Sequence, residues 1–117
     1  MMFFISLPWP PSSNSYYRRG QHATYMSKQG RQFKDEVAEL VAESAQPPLA
    51  GRLYVSISLS STTKRAYDID NRIKATLDSL QDAGVFADDE QIDELSIIRR
   101  PPGGGYARVL IIEKGNS

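Results

Sequence analysis

LYVSISLSSTTKRAYDIDNRIKATLDSLQDAG, residues 53–84, contains the change of pattern that decides the fold. Its first eight residues alternate strictly: Leu53, Val55, Ile57 and Leu59 share one side, and Tyr54, Ser56, Ser58 and Ser60 the other. That period of two predicts a strand with one wetter face. Just after Asp70 the period changes. Ile73, Leu77 and Leu80 recur at helical spacing as far as Ala83, and Gly84 follows as a C-terminal stop.

Working outward, Phe3–Leu7 reads as a first strand, stopped by Pro8, Pro10 and Pro11. The apolar start MMFFISL lacks a basic leader region and meets Pro8 too early for a signal peptide or a membrane span. Residues 12–26, SSNSYYRRGQHATYM, read as a long loop or a loose hairpin. Ser27 suits a helix cap, and Phe33, Val37, Leu40 and Val41 line one face of the helix that ends before Pro47 and Pro48. Two strands close the chain, Ile92–Arg100 and Tyr106–Glu113, joined by the turn PPGGG. The segment ARVLIIE is apolar on both faces, which predicts a central strand or one covered by another subunit. The order β-α-β-α-β-β predicts a small single-domain α/β (α+β) fold spanning residues 1–117, a mixed sheet with two helices packed on it.

The formal net charge is zero, which by itself counts against a polyanionic partner. The distribution points the other way. Residues 68–94 hold nine acids (Asp68, Asp70, Asp78, Asp82, Asp88, Asp89, Glu90, Asp93, Glu94) against two bases, and the remainder holds twelve bases against five acids. A basic body with one acidic patch suits a metal-dependent enzyme acting on a polyanion, because cations at the patch cancel its repulsion of phosphate. Acids and bases on separate solvated faces would give the same count. The chain has no cysteine, which removes disulfides, thiolate metal sites and a cysteine nucleophile, and fits a reducing cytoplasm.

Asp68 and Asp70 are two residues apart before the second helix, where extended backbone sends both carboxylates to one side. Leaving both ionised costs free energy unless a cation sits between them, and Mg²⁺, bound by a few carboxylate oxygens and otherwise hydrated, meets that need. Alternatively, Asp70 caps the helix, which leaves Asp68 without a structural role. Lys74 falls one helical turn after Asp70, as an ordinary ion pair or as a charge that balances phosphate. Asp88 and Asp89 lie beyond a helix about 20 Å long. The intervening loop reaches at most about 18 Å, so Asp89 meets Asp68 within one chain only if the loop doubles straight back, and otherwise across a dimer. A solvated acidic turn is the plain alternative.

Other motifs fail. A calcium loop starting at Asp68 would place Arg72, Ile73 and Ser79 where acids and glycine are required. The single His22 makes no zinc set, and GGG at 103–105 is a turn rather than a phosphate loop. Asn14, Tyr16, Tyr17, Arg18 and Arg19 suit phosphate contacts and base stacking, and Lys64, Arg65, Arg99, Arg100 and Arg108 extend a DNA-facing surface.

LPWPPSSNSYYR, YDIDNRIKATLDSLQDAGVFADDEQI and a final hairpin ending IIEKGN resemble, over nearly the whole chain, the RusA family of Holliday junction resolvases, often carried by phages and prophages. The resemblance implies a homodimeric, Mg²⁺-dependent endonuclease that cuts four-way DNA junctions by paired nicks in recombination and repair, with Mn²⁺ substituting and neither membrane nor organic cofactor involved. By position it implies catalytic and metal-binding carboxylates at Asp68, Asp70 and Asp89, with Lys74 as the essential base. Asn71 and Asp88 fit the same pattern, and Asn14, Tyr17 and Arg18 match the N-terminal signature. Two rival classes remain: a non-catalytic phage junction-binding or structural protein, and a metal-dependent phosphatase.

Overall fold

The computed structural model describes residues 1–19 and 24–115. Strand β1 (Met2–Pro8) alternates exposed and buried residues, sending Phe3, Ile5 and Leu7 inward. The predicted loop resolves into a one-turn helix α1 (Ser13–Tyr16), with Ser12 accepting from the Ser15 amide, and a ribbon of β2 (Tyr17–Arg19) and β3 (Thr24–Met26). His22 and the side chains of Arg18 and Arg19 fall outside the described residues.

Helix α2 (Lys28–Ser44) starts as predicted at Ser27, whose Oγ accepts from the Gly30 amide at 2.9 Å, and buries Phe33, Val37 and Val41. Gly30 is required because a Cβ there would collide with the Tyr16 carbonyl. Strand β4 (Leu53–Ser60) keeps the predicted alternation. The second helix begins differently: a 3₁₀ turn (Ile69–Arg72) leads into α3 (Ile73–Asp82). A second 3₁₀ turn (Asp89–Gln91) precedes β5 (Ile92–Arg99), and β6 (Tyr106–Glu113) ends the fold.

The four-stranded sheet runs β1-β6-β4-β5, antiparallel except for the parallel pair β4 and β5. The last two strands are therefore not a hairpin. PPGGG instead crosses the end of β4: the Gly103 amide donates to the Ser61 carbonyl at 2.7 Å and the Gly104 amide to Ser60 Oγ at 2.9 Å. β6, apolar on both faces, occupies the predicted central place, whereas β5 with its acidic start is left at the edge. A parallel pair needs a crossover, and the loop and α3 supply it.

The helices lie on one face of the sheet. There Val55, Ile57, Leu59, Val109 and Ile111 are fully buried against Val37, Leu80 and Tyr16, and burial of such side chains is worth about 1.5–3 kcal/mol each. Tyr16 satisfies its hydroxyl on Ser79 Oγ at 3.0 Å. Met2, Phe4 and Ile112 are exposed on the opposite face. Among the described residues no helix is long and apolar enough to cross a membrane.

Candidate active site

The crossover from β4 to β5 carries the acidic residues, and it separates them. Asp68 ends an extended stretch and its carbonyl accepts from the Asn71 amide at 3.1 Å, which starts the 3₁₀ turn that contains Asp70. Both carboxylates are exposed, and neither has a hydrogen bond or ion pair among the described residues. The predicted cap is therefore absent: Asp70 lies inside the 3₁₀ turn that Asp68 precedes, α3 begins three residues after Asp70, and its start at Arg72 has no side-chain cap. Freed of that task, two carboxylates two residues apart in sequence, both hard oxygen donors, face solvent, a donor set that fits Mg²⁺ with most of its waters retained.

Lys74 is not paired to Asp70. In a 3₁₀ turn residues repeat every three rather than every 3.6 positions, so Asp70 is out of phase with α3. Lys74 Nζ instead meets Asp78 Oδ2 at 3.3 Å, one true helical turn on, and lies 5.6 Å from the centre of the Tyr17 ring. Tyr17 donates its hydroxyl to the same Asp78 oxygen at 3.1 Å. Burial, reinforced by the Asp78 charge, pushes the Tyr17 hydroxyl up to about 12.

The N-terminal proline-rich segment wraps this turn. Ser13 Oγ donates to the Asn71 carbonyl at 3.3 Å, and the Arg72 guanidinium to the Pro10 carbonyl at 2.9 Å. Arg72 stacks on Trp9 (5.1 Å), Trp9 meets Tyr67 edge-on (4.9 Å), and Arg99 stacks on Tyr67 (4.3 Å) while donating to its carbonyl. Burial lowers the Arg72 pKa, and Arg72 Nε and the Tyr67 hydroxyl are buried without partners among the described residues. Trp9, Tyr67 and Arg72 were not among the predicted site residues. Their adjacency to the prolines and aspartates was visible, but stacking across the fold was not. Asn14, Lys64, Arg65 and Arg100 are exposed, with Lys64 and Arg65 in the loop before Asp68.

Asp88 and Asp89 have different places. Asp88 is a cap: its Oδ1 accepts from the Glu90 amide at 2.9 Å, and Gln91 Oε1 accepts from the Asp88 and Ala87 amides at 3.1 and 2.9 Å. Asp89 is exposed; its amide donates to Gln81 Oε1 at 3.0 Å, and its carboxylate has no partner among the described residues. Gln91 Nε2 then donates to the Leu49 and Gly51 carbonyls at 3.1 and 3.0 Å, tying the turn to the approach to β4. The Asp88-x-x-Gln91 spacing is itself a cap signature, which would have marked Gln91 from sequence. Arg52 adds a clamp, reaching Asp93 at 2.6 Å and Glu90 at 3.2 Å. Its hydrogen bond holds the Asp93 carboxyl below the usual carboxylate range.

The loop after α3 does not double back toward Asp68; the Leu49 amide captures the Val85 carbonyl at 2.8 Å and directs the chain to the start of β4. Leu53 pairs with Ile92 at that end, and Leu59 with Arg99 at the other, beside Tyr67 and Asp68. Six strand residues separate the two ends, about 20 Å. Accordingly, among the described residues of one chain no group of three acids or histidines is placed to hold a metal. One end presents Asp68, Asp70 and the aromatic–arginine stack; the other presents Asp89.

Comparison with known proteins gives a consistent result. A family model described as Endodeoxyribonuclease RusA matches residues 8–111. The chain is 35% identical over 116 residues to the crossover junction endodeoxyribonuclease rusA of Enterobacteria phage 82, covering 97% of each chain. It is 34% identical, over 116 residues and 97% of each chain, to the protein of that name from Escherichia coli strain K12, and equally to that of Shigella sonnei strain Ss046.

Proposed function

The chain belongs to the RusA endodeoxyribonuclease family, and from that premise we propose that it is a crossover junction endodeoxyribonuclease whose active site is shared between two copies. In this reading a homodimer hydrolyses phosphodiester bonds of four-way DNA junctions by paired nicks, in cytoplasmic recombination and repair. The observation that carries it is the separation just described: exposed carboxylates without partners at both ends of the β4–β5 pair, and no complete metal-binding cluster among the described residues of one chain.

Asp68 and Asp70 of one copy and Asp89 of the other are the residues that would hold Mg²⁺, or Mn²⁺ in its place. The ion would supply a water of lowered pKa and neutralise charge on the phosphate. Lys74, 59% exposed in its side chain beside Asp78, would offset the charge that develops on phosphate. Asn14, Tyr17, Arg18, Arg19, Lys64, Arg65, Asn71, Arg99 and Arg100 supply the DNA-facing surface. Backbone contacts of this kind hold the strand in register without reading sequence. Two symmetric composite sites suit the cutting of two strands, which is what resolution of a four-way junction requires.

The test is cleavage of a synthetic four-way junction in Mg²⁺. The parent chain is expected to make paired nicks, and Asp70→Asn to bind the junction without cutting it. Full Mg²⁺-dependent cleavage by Asp70→Asn defeats the assignment, and junction binding by the parent without nicking in either metal supports the non-catalytic rival.

A further inference from the structure

The carboxylates of Asp68 and Asp70 have no hydrogen bond among the described residues, so their placement depends on how the backbone of residues 67–72 is held. Ile69, between the two aspartates, is partly buried against the core. Ahead of them Tyr67 meets Trp9 edge-on at 4.9 Å, and behind them the Arg72 guanidinium lies 5.1 Å from the centre of the Trp9 ring. One indole thus holds both ends of the turn. Ile69 supplies a pivot, and the two ends fix the rotation about it.

The indole itself stands on stiff backbone. Trp9 follows Pro8, which pairs with Tyr106 of β6, and precedes Pro10, which confines the Trp9 backbone to extended conformations. Pro10 is buried, and its carbonyl takes a second hold on Arg72 at 2.9 Å. Trp9 does little to fill the core. It is only partly buried, and two clefts border it, one of about 290 Å³ toward Gln32 and Phe33 and one of about 210 Å³ toward Thr62 and Arg65; Arg72 lines both. Arg72 Nε and the Tyr67 hydroxyl are buried here without partners among the described residues. Stacking on Trp9 and the Pro10 carbonyl therefore place Arg72, and Trp9 with Arg99, which stacks on Tyr67 at 4.3 Å, places Tyr67.

Resting on the metal-site reading above, we propose that Trp9 is a positioning residue: by gripping Tyr67 and Arg72 it holds the turn that carries Asp68 and Asp70 in one orientation toward a shared divalent ion. Ligands fixed in advance lose little freedom on binding, and removing a group that orients them costs about 10–100-fold in metal affinity. The test is Mn²⁺ binding to the full chain without DNA, followed by the electron paramagnetic resonance of the free ion. Trp9→Leu is expected to raise the Mn²⁺ Kd about tenfold or more, and the metal concentration for half-maximal junction cleavage in step. The Kd for junction DNA is expected to stay unchanged. Trp9→Phe, which keeps a ring between Tyr67 and Arg72, is expected to recover most of the metal affinity. Tyr67→Leu cuts the front hold without touching the proline segment; it is expected to weaken Mn²⁺ binding in the same direction, and it decides the matter if Trp9→Leu does not fold. Asp70→Asn is the reference. If it binds Mn²⁺ more weakly than the parent while Trp9→Leu or Tyr67→Leu keeps the parental affinity, or while Trp9→Phe is as weak as Trp9→Leu, the role of Trp9 is overturned and the metal site stands. If Asp70→Asn matches the parent, the metal-site reading falls and this proposal with it.

Discussion

Replacing Gln91 by alanine tests how Asp89 is held. The Gln91 amide accepts from Ala87 and Asp88 and donates to Leu49 and Gly51, all at 2.9–3.1 Å. At about 0.5–1.5 kcal/mol net for each hydrogen bond the gross loss is about 2–6 kcal/mol. The amides of Ala87 and Asp88 belong to exposed residues that water can reach, and the Arg52 clamp on Glu90 and Asp93 remains. A net destabilisation of about 1–3 kcal/mol follows. Unfolding entropy near 2.1 cal/mol/K per residue, over 117 residues, converts that to a fall in melting temperature of about 4–12 °C. Thermal denaturation followed by circular dichroism measures it. Below the melting temperature Asp89 is held less firmly, so the Mg²⁺ concentration for half-maximal junction cleavage is expected to rise more than the Kd for junction DNA. An unchanged melting temperature, or a loss confined to DNA affinity, refutes the reasoning.

Three further outcomes follow from the same geometry. Asp68→Asn is expected to melt no lower than the parent in the absence of metal, within about 0.5 kcal/mol or higher, since its carboxylate is exposed and stands near Asp70; a clearly lower melting temperature would mean a structural role. Tyr17, raised from an ordinary value of 10.0 to about 12, is expected to stay protonated in an ultraviolet titration at pH values where free tyrosine in solution is ionised. Because its folded value lies above its unfolded one, the stabilisation it gives is complete below pH 10 and lost as pH rises through about 12. Asp78→Asn is expected to bring that ionisation down toward the ordinary value, and no movement would show that Asp78 does not act on Tyr17.

Much of this architecture was legible in the residues. The alternation of residues 53–60 and the helical spacing from Ile73 to Leu80 describe β4 and α3 because each is a local pattern of burial. Sheet order was not, since PPGGG looks the same whether it closes a hairpin or crosses the end of a third strand. Asp68 and Asp70 stood out by charge and spacing, but the 3₁₀ turn that removes Asp70 from the cap, and turns Lys74 to Asp78, has no clear signature in the sequence. The split between Asp88 and Asp89 depends on Gln91, whose four partners come from both sides of the turn. Trp9, Tyr67 and Arg72 meet only after β1 and the crossover are packed together.

The shared site is tested most directly by mixing two inactive chains. Asp70→Asn and Asp89→Asn, unfolded together and refolded at equal concentration, form mixed dimers in which one composite site has Asp68 and Asp70 from one copy and Asp89 from the other, all intact, while the second site carries both substitutions. Mg²⁺-dependent nicking of a four-way junction is expected to return in the mixture, as single nicks rather than paired ones. If each variant alone is inactive, the parent is active, and the mixture stays inactive, the three aspartates do not act across two copies.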